Sequence, residues 1–386
     1  MSSYINVTDA PYNAALDGIT DDTTAINTAL AASTGIVYIP TGTALISASL
    51  TVPTNVHVIG NGIGATVIKP TANPTFGAVT FSGNDSSISN LTVNGNATGT
   101  TARGACGIYA LTGSNRIAIY NCEVYASADN GIESDGVDTE IYFNYVHDCF
   151  TNGIYVIGVL TTRATGIWIH HNRVEDNSSG TITWDGICID PTHADCRVED
   201  NWVIGNDIIV YENQGEVSNS YGDRVNNNFI QGSPENGIYL AGTLLDIECC
   251  GNYIDSPTGY GIFTNGYMTR FEIKNNRIYA PTMHGIYMEN NGSINSNTLS
   301  NGEISGNHIE NPSSVSNTYS GILITSGTDL FITNNKILDT RGTVLMKYAI
   351  NTNSASNDVV IFGNKTKSGV SGNIIKSAGQ TGANNY

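Results

Sequence analysis

The stretch NGIESDG, residues 130–136, sets a buried-strand pattern against two carboxylates, Glu133 and Asp135. The same opening returns as DGICID at residues 185–190, with Asp190 where Asp135 stood. Gly-Ile recurs at Gly107, Gly131, Gly153, Gly186, Gly237, Gly261, Gly285 and Gly321, and the wide gap after Gly186 holds a degenerate copy, DIIVYE, that begins at Asp207. A second marker runs in step with the first. It is an Asn followed by any residue and then usually Val or Ile, at Asn90, Asn121, Asn144, Asn172, Asn201, Asn228, Asn252, Asn276, Asn307, Asn335 and Asn364, with gaps of 23 to 31 residues. Two phase-locked markers in one short period, with β-branched runs between them, predict the coils of a parallel β-solenoid. When coils stack in register, an Asn at each tight turn can bond its amide to the Asn above and below.

Composition agrees with many short strands and turns: the 386 residues include 42 Gly. Lys and Arg number 16 against 34 Asp and Glu, a net charge of −18, which argues against nucleic acid and anionic membranes as partners. No run reaches the length of a transmembrane helix, and the first residues lack the basic and apolar regions of a signal peptide. The seven cysteines are an odd number with no pair at zinc-ligand spacing, so they are expected as unpaired thiols.

The N-terminal part has a different pattern. DGITDDTTAINTALAAS places Asp21 or Asp22 as N-cap before Ala25, Ile26, Ala29 and Leu30 on one helical face. A solenoid end needs a cover, because it otherwise exposes strand edges and core. The expected architecture is all-β, a right-handed parallel β-helix with an N-terminal capping helix. It forms one domain over 1–376, with the cap in 1–35, coils in 36–376 and a polar tail at 377–386. DGITDDTTAINTAL, GIVYIPTGTALI and VHVIGNGIGATVIK together resemble the opening of the pectate-lyase-like superfamily. That group includes phage tailspike depolymerases, polygalacturonase-type hydrolases, polysaccharide lyases and mannuronan epimerases. The resemblance implies a polysaccharide substrate, a homotrimer on the tailspike pattern, and a virion-associated or extracellular location.

Strand alternation then assigns faces. The Ile after each Gly and the residue two further on point to the core, so the intervening residues form outward columns about 4.8 Å apart per coil. One column runs Tyr109, Glu133, Tyr155, Cys188, Tyr239, Phe263, Tyr287 and Leu323; the next includes Asp135, Asp190, Asn265 and Glu289. The degenerate coil adds Tyr211 and Glu212, and Glu212 faces outward if Ile209 and Tyr211 face in. Apolar sugar faces lie well on aromatic rings, so Tyr109, Tyr155, Tyr211, Tyr239, Phe263 and Tyr287 are candidate substrate contacts. A second aromatic row, Trp202, Phe229 and Tyr253, follows three successive ladder Asn residues.

Paired carboxyls can hydrolyse a glycosidic bond, one as acid and the other as base or nucleophile, with no cofactor. Glu133, Asp135 and Asp190 are the candidates, with Glu212 at the margin. The alternative is a lyase or uronate epimerase, with His193 and Tyr155 as base and acid and calcium held by outward carboxylates, although the outward columns hold no Arg or Lys. Mannuronan epimerases carry Tyr-Gly-Phe-Asp-Pro-His and, one coil later, Asp-Gly-Phe-x-x-Asp. NGIESD resembles the first motif with Asn130 at the Tyr and Asp135 at the His, and DGICID resembles the second but lies two coils on. A third class, a non-catalytic spike that only holds glycan, uses the aromatic columns without the acids.

Overall fold

The computed structural model describes residues 4–158, 162–178, 184–212, 220–289, 299–367 and 369–375. The expected tail, 377–386, lies outside them. The repeats predict one domain over 1–376; packing gathers the chain into two compact units, Met1–Ile189 and Asp190–Tyr386. Each unit is a run of short strands paired in parallel from one coil to the next. In the first, Ile108–Ala110 pairs with Ile132–Ser134, which pairs with Ile154–Val156. In the second, Ile208–Tyr211, Ile238–Leu245, Ile262–Thr269 and Ile286–Glu289 stack in the same way. Columns of Ile and Val fill the core; Ile132, Ile154, Ile238 and Ile262 are all buried.

The Gly-Ile marker has a steric cause. A Cβ on Gly131 would lie 2.4 Å from Val146 Cγ1 and 2.7 Å from the Gly153 carbonyl oxygen, and one on Gly261 would lie 2.4 Å from Ile278 Cγ2. Only glycine lets the turn pass this close to the next coil. Asp207 takes the glycine position in the degenerate coil, directly before Ile208, whose partner is Ile238.

The Asn marker resolves into two classes. From Asn144 onward each ladder Asn is buried, and within each unit one bonds to the next. Asn252 shows the pattern: its N–H and Nδ2 both donate to Asn276 Oδ1 at 2.9 Å, Nδ2 also donates to the Val225 carbonyl at 2.8 Å, and its own Oδ1 accepts from Asn228 N and Nδ2. The residue before many of these Asn holds a left-handed φ, as at Phe143, Asn227 and Asn275, which turns the chain so that the amide points inward. Asn90 and Asn121 lie outside the buried ladder, although Asn121 Nδ2 donates to Asn90 Oδ1 at the surface. Register pairs Leu91 with Cys122, and the Asn144 Oδ1 accepts from the Cys122 N–H, so Asn90 and Asn121 themselves occupy the left-handed turn position and point outward. Asn is common at both places for different reasons, which is why the sequence period alone merges them.

The helix Thr23–Ala32 forms, with Ile26, Ala29 and Leu30 buried. Asp22 stands at its N-cap position but makes no capping bond. Its carboxylate instead accepts the N–H groups of Ala15 and Leu16 at 2.6 and 3.0 Å. The helix docks through Asn27, whose Nδ2 donates to the Ser49 carbonyl while its Oδ1 accepts from Thr51 N.

Asn252→Ala is expected to lower unfolding stability by about 2–4 kcal/mol, because it strands buried donors on Asn228 and an acceptor on Asn276. Asn121→Gly, which keeps the left-handed turn, should cost under about 1 kcal/mol. Denaturant titration of both variants gives the comparison, and equal losses would contradict the two-class assignment.

Candidate active site

Within the first unit the outward column is in register as expected: Tyr109 lies against Glu133, Glu133 against Tyr155, and Tyr155 against Cys188. Asp135 follows directly after its strand, anchored by its N–H to the Ala110 carbonyl at 2.9 Å. Outward direction does not mean exposure here. The segment between the strand ending at Asn94 and the one starting at Ile108 folds over the column, where Ala97 and Ala105 pack with Ala128 and Phe150. Glu133 is only 1% exposed and Asp135 6%.

The covered acids form one cluster. Tyr109 Oη donates to Asp135 Oδ2 at 2.6 Å, and Thr112 Oγ1 lies 3.5 Å from the same oxygen. Glu133 Oε2 accepts from Asn130 Nδ2 at 2.9 Å and from Cys106 Sγ at 2.8 Å. Asp129 accepts from Gly104 N at 2.6 Å and from Thr151 Oγ1 at 3.1 Å. Burial pushes the Glu133 carboxyl up to about 7, with Asp135 and Asp129 adding to the rise against the Cys106 and Asn130 bonds. Burial also raises Asp135, opposed by the Tyr109 bond and by the Arg103 charge. The Tyr109 phenol is raised by burial and then by its bond to Asp135, and the Cys106 thiol by burial and the neighbouring acids. The cluster is therefore a half-buried phenol backed by two carboxyls, one titrating near neutrality.

Cys106, Asp129 and Glu133 bring one ligand atom each within 4.8 Å of one another. A sulfur in this set does not suit calcium, which takes six or more oxygen ligands. It suits a softer ion better.

The remaining candidates lie in the second unit. His193 is 0% exposed. Its Nδ1 lies 2.9 Å from the Asp190 carbonyl and its Nε2 faces Asp223 Oδ2 at 3.2 Å. Glu212 Oε2, 3.9 Å from Nδ1, accepts the Thr192 N–H at 3.2 Å. Burial opposes His193 protonation, but the Asp223 carboxylate, the Asp190 carbonyl and Glu212 outweigh it, and the imidazole pKa lies above its ordinary value. These contacts enclose His193 and Glu212 and tie the turn at 190–193 to Asp223. In the degenerate coil Ile208 and Val210 point inward while Ile209 pairs with Tyr239 and Tyr211 with Ala241, so Tyr211 faces outward and Glu212 turns into the interior. This reverses the arrangement that an exposed Glu212 requires. Asp190 is half-buried at the start of this unit.

The aromatic column is present but presents itself differently. Tyr239 and Phe263 stack at 5.0 Å with planes 10° apart, and Phe263 and Tyr287 at 5.3 Å and 11°. The coil rise nearly equals the spacing of stacked rings, so these faces are spent on one another and the edges point out. A like row in the first unit, Tyr120, Tyr142 and His170, is one that the sequence reading missed: its rings stack at 4.9 and 5.1 Å. A fixed offset, two residues before Cys122, Asn144 and Asn172, marks it. Cys106, Asp129, Arg103 and Asp223 were also missed, since they lie off the repeat phase.

Parallel coils with outward columns of acids and rings define a right-handed β-helix protein. Residues 4–207 match the family described as rhamnogalacturonase A/epimerase, pectate lyase-like, and the chain belongs to that family. It is 44% identical over 64 residues to the mannuronan C5-epimerase AlgE2 of Azotobacter vinelandii, a match that spans 14% of this chain and only 6% of the epimerase. The A-module of the mannuronan C-5 epimerase AlgE4 from the same bacterium has a similar structure, with a TM-score of 0.70 at 18% identity over 99% of this chain and 100% of the module. The Dettilon tailspike protein gp208 gives 0.61 at 18% identity, covering 98% of this chain and 68% of the tailspike. The catalytic unit of an alpha-1,3-glucanase from Streptomyces thermodiastaticus gives 0.59 at 17% identity, covering 100% and 69%. At these identities the structural likeness speaks for the fold alone.

A carboxyl at about 7 when folded, against an ordinary 4.5, binds more protons folded than unfolded between those values. Its contribution to stability is full at low pH and is lost as pH rises through that window. Denaturant unfolding of the parent should weaken from pH 4.5 to 7, and Glu133→Gln should weaken less; identical profiles would show that Glu133 ionises without penalty.

Proposed function

We propose that the protein acts on a polysaccharide, with Tyr109 as the group that meets the substrate and Asp135 and Glu133 as the acid–base pair behind it. The observation that carries this reading is the 2.6 Å bond from the hydroxyl of the half-buried Tyr109 to Asp135 Oδ2. A phenol held by a carboxylate can pass its proton back and take one from carbon, or give its proton to a leaving oxygen. Arg103, on the covering segment and close enough to act on Asp135, supplies the cation that the outward columns lack. Such a cation neutralises a uronate carboxylate while the adjacent proton leaves. Elimination or epimerisation of a uronate-containing glycan is therefore the first reading, and the epimerase relatives support it.

Hydrolysis is the second reading, favoured by Glu133, whose pKa of about 7 suits a general acid. Against it, Glu133 and Asp135 sit side by side under one cover, whereas hydrolysis needs carboxyls on either side of the bond. Membership of the rhamnogalacturonase A/epimerase, pectate lyase-like family supports action on glycans in general. An extracellular or virion-associated setting fits the tailspike neighbour. No helix among the described residues is long and apolar enough to cross a membrane.

The test is product analysis on polyuronate and neutral glycans. Fragments lacking water indicate elimination, unchanged mass with altered uronate stereochemistry by NMR indicates epimerisation, and fragments gaining water indicate hydrolysis. Tyr109→Phe and Asp135→Asn should each lower turnover by about 10²- to 10⁴-fold. Full activity in both variants, or polymer unchanged in both mass and uronate stereochemistry on every glycan that binds, overturns the proposal.

A further inference from the structure

The second aromatic row in the second unit continues as a row of bases. Strand register pairs Trp202 with Phe229 and Phe229 with Tyr253. The same column then runs through Arg277, His308, Lys336 and Lys365. Lys367 flanks its end, one outward position along from Lys365 and opposite Leu338. Like charges on adjacent coils lie about 4.8 Å apart, an arrangement that destabilises a sheet unless something neutralises it.

Elsewhere many cations are neutralised, though Lys69, Arg103 and Lys347 also have no ion pair among the described residues. Arg116 pairs with Asp85, Arg270 with Asp246, Lys274 with both Glu272 and Glu303, and Arg341 with Asp339. Arg277, Lys336, Lys365 and Lys367 have no ion pair among the described residues. In a chain of net charge −18 with 16 basic residues, four unpaired cations on one face are a concentration that solubility does not require. Glu310, 3.6 Å from His308, and Asp255, one outward position along from Tyr253, are carboxylates beside this column. Burial, and then the Lys336 and Arg277 charges, hold the His308 pKa below its ordinary value, with Glu310 opposing them. A groove of about 780 Å³ runs past Lys336, Leu338, Asn364, Lys365 and Lys367, within the size range of ligand sites. At the other end of the column Trp202 is 52% exposed and tilted 58° to Phe229, whereas Phe229 and Tyr253 are stacked within 6°.

We infer that this column is a binding track for an acidic polysaccharide, lying along the solenoid axis with carboxylates over the basic coils and sugar rings toward Trp202. One cation per coil matches a polymer with one charge per sugar. A densely charged polyphosphate would suffer more from the surrounding net charge of −18. The choice of a glycan rests on the polysaccharide-acting reading above, but the track is separate from the Tyr109 cluster.

The test is calorimetric titration of the full chain with polygalacturonate, neutral dextran and a single-stranded DNA oligomer, at several salt concentrations. The parent should bind polygalacturonate with affinity that falls as salt rises, and should bind dextran and DNA weakly or not at all. Lys336→Gln, Lys365→Gln and Lys367→Gln combined should weaken polygalacturonate binding at least about tenfold and flatten its salt dependence. The variant's thermal midpoint should hold or rise as repulsion is removed, which separates lost binding from lost folding. Undiminished binding in the triple variant, or no binding by the parent, overturns the track. Tighter binding of DNA overturns the choice of ligand. A parent oligomer that dissociates in the triple variant shows instead that the face joins copies of this chain. The acid–base proposal is read by turnover of Tyr109→Phe and Asp135→Asn and the track by calorimetry of the triple lysine variant, so the two proposals fail separately.

Discussion

The buried asparagine ladder is the interaction on which the rest of the structure depends. Each amide gives both its hydrogens and takes two at its oxygen, so no donor or acceptor on that inner turn is left over, as Asn252 shows between Asn228 and Asn276. A buried amide with every bond made holds its neighbours at one height and in one register, and a slip by one residue would strand all of them. The glycine column enforces the same register sterically, since the turn at Gly131 has no room for a Cβ. Outward side chains inherit this regularity whether or not it suits them.

That inheritance explains why equal residues meet. Rings in one column come to stacking distance, as Phe229 and Tyr253 do at 5.1 Å, and give up their faces to each other. Cations in one column come to repelling distance, as Lys336 and Lys365 do. Acids are treated differently where the regular coil is interrupted. The segment before Ile108 is long enough to fold back over Glu133 and Asp135, and taking them out of water is what lifts their pKa values. Asp223 acts on His193 with the other sign, raising the imidazole pKa that burial lowers. The groups with the most perturbed ionisation thus sit where the regular coil is interrupted, while the repeat supplies the frame.

The sequence by itself determined the parallel solenoid, the faces of its strands and the partners within each column, because a short period and strict alternation are local properties of the chain. Tyr109 beside Glu133, and Tyr239 beside Phe263, were legible for that reason. The helix at Thr23–Ala32 was legible too, though not that Asp22 would turn its carboxylate to Ala15 and Leu16. Only the tertiary structure decided which outward residues meet water. Burial of Glu133 depends on a loop that carries no repeat, the outward Tyr211 and inward Glu212 depend on a register that DIIVYE leaves ambiguous, and the roles of Cys106, Arg103 and Asp223 depend on contacts between segments far apart in the chain. Periodicity fixes direction. Exposure is set by what else packs there, and no local pattern records it.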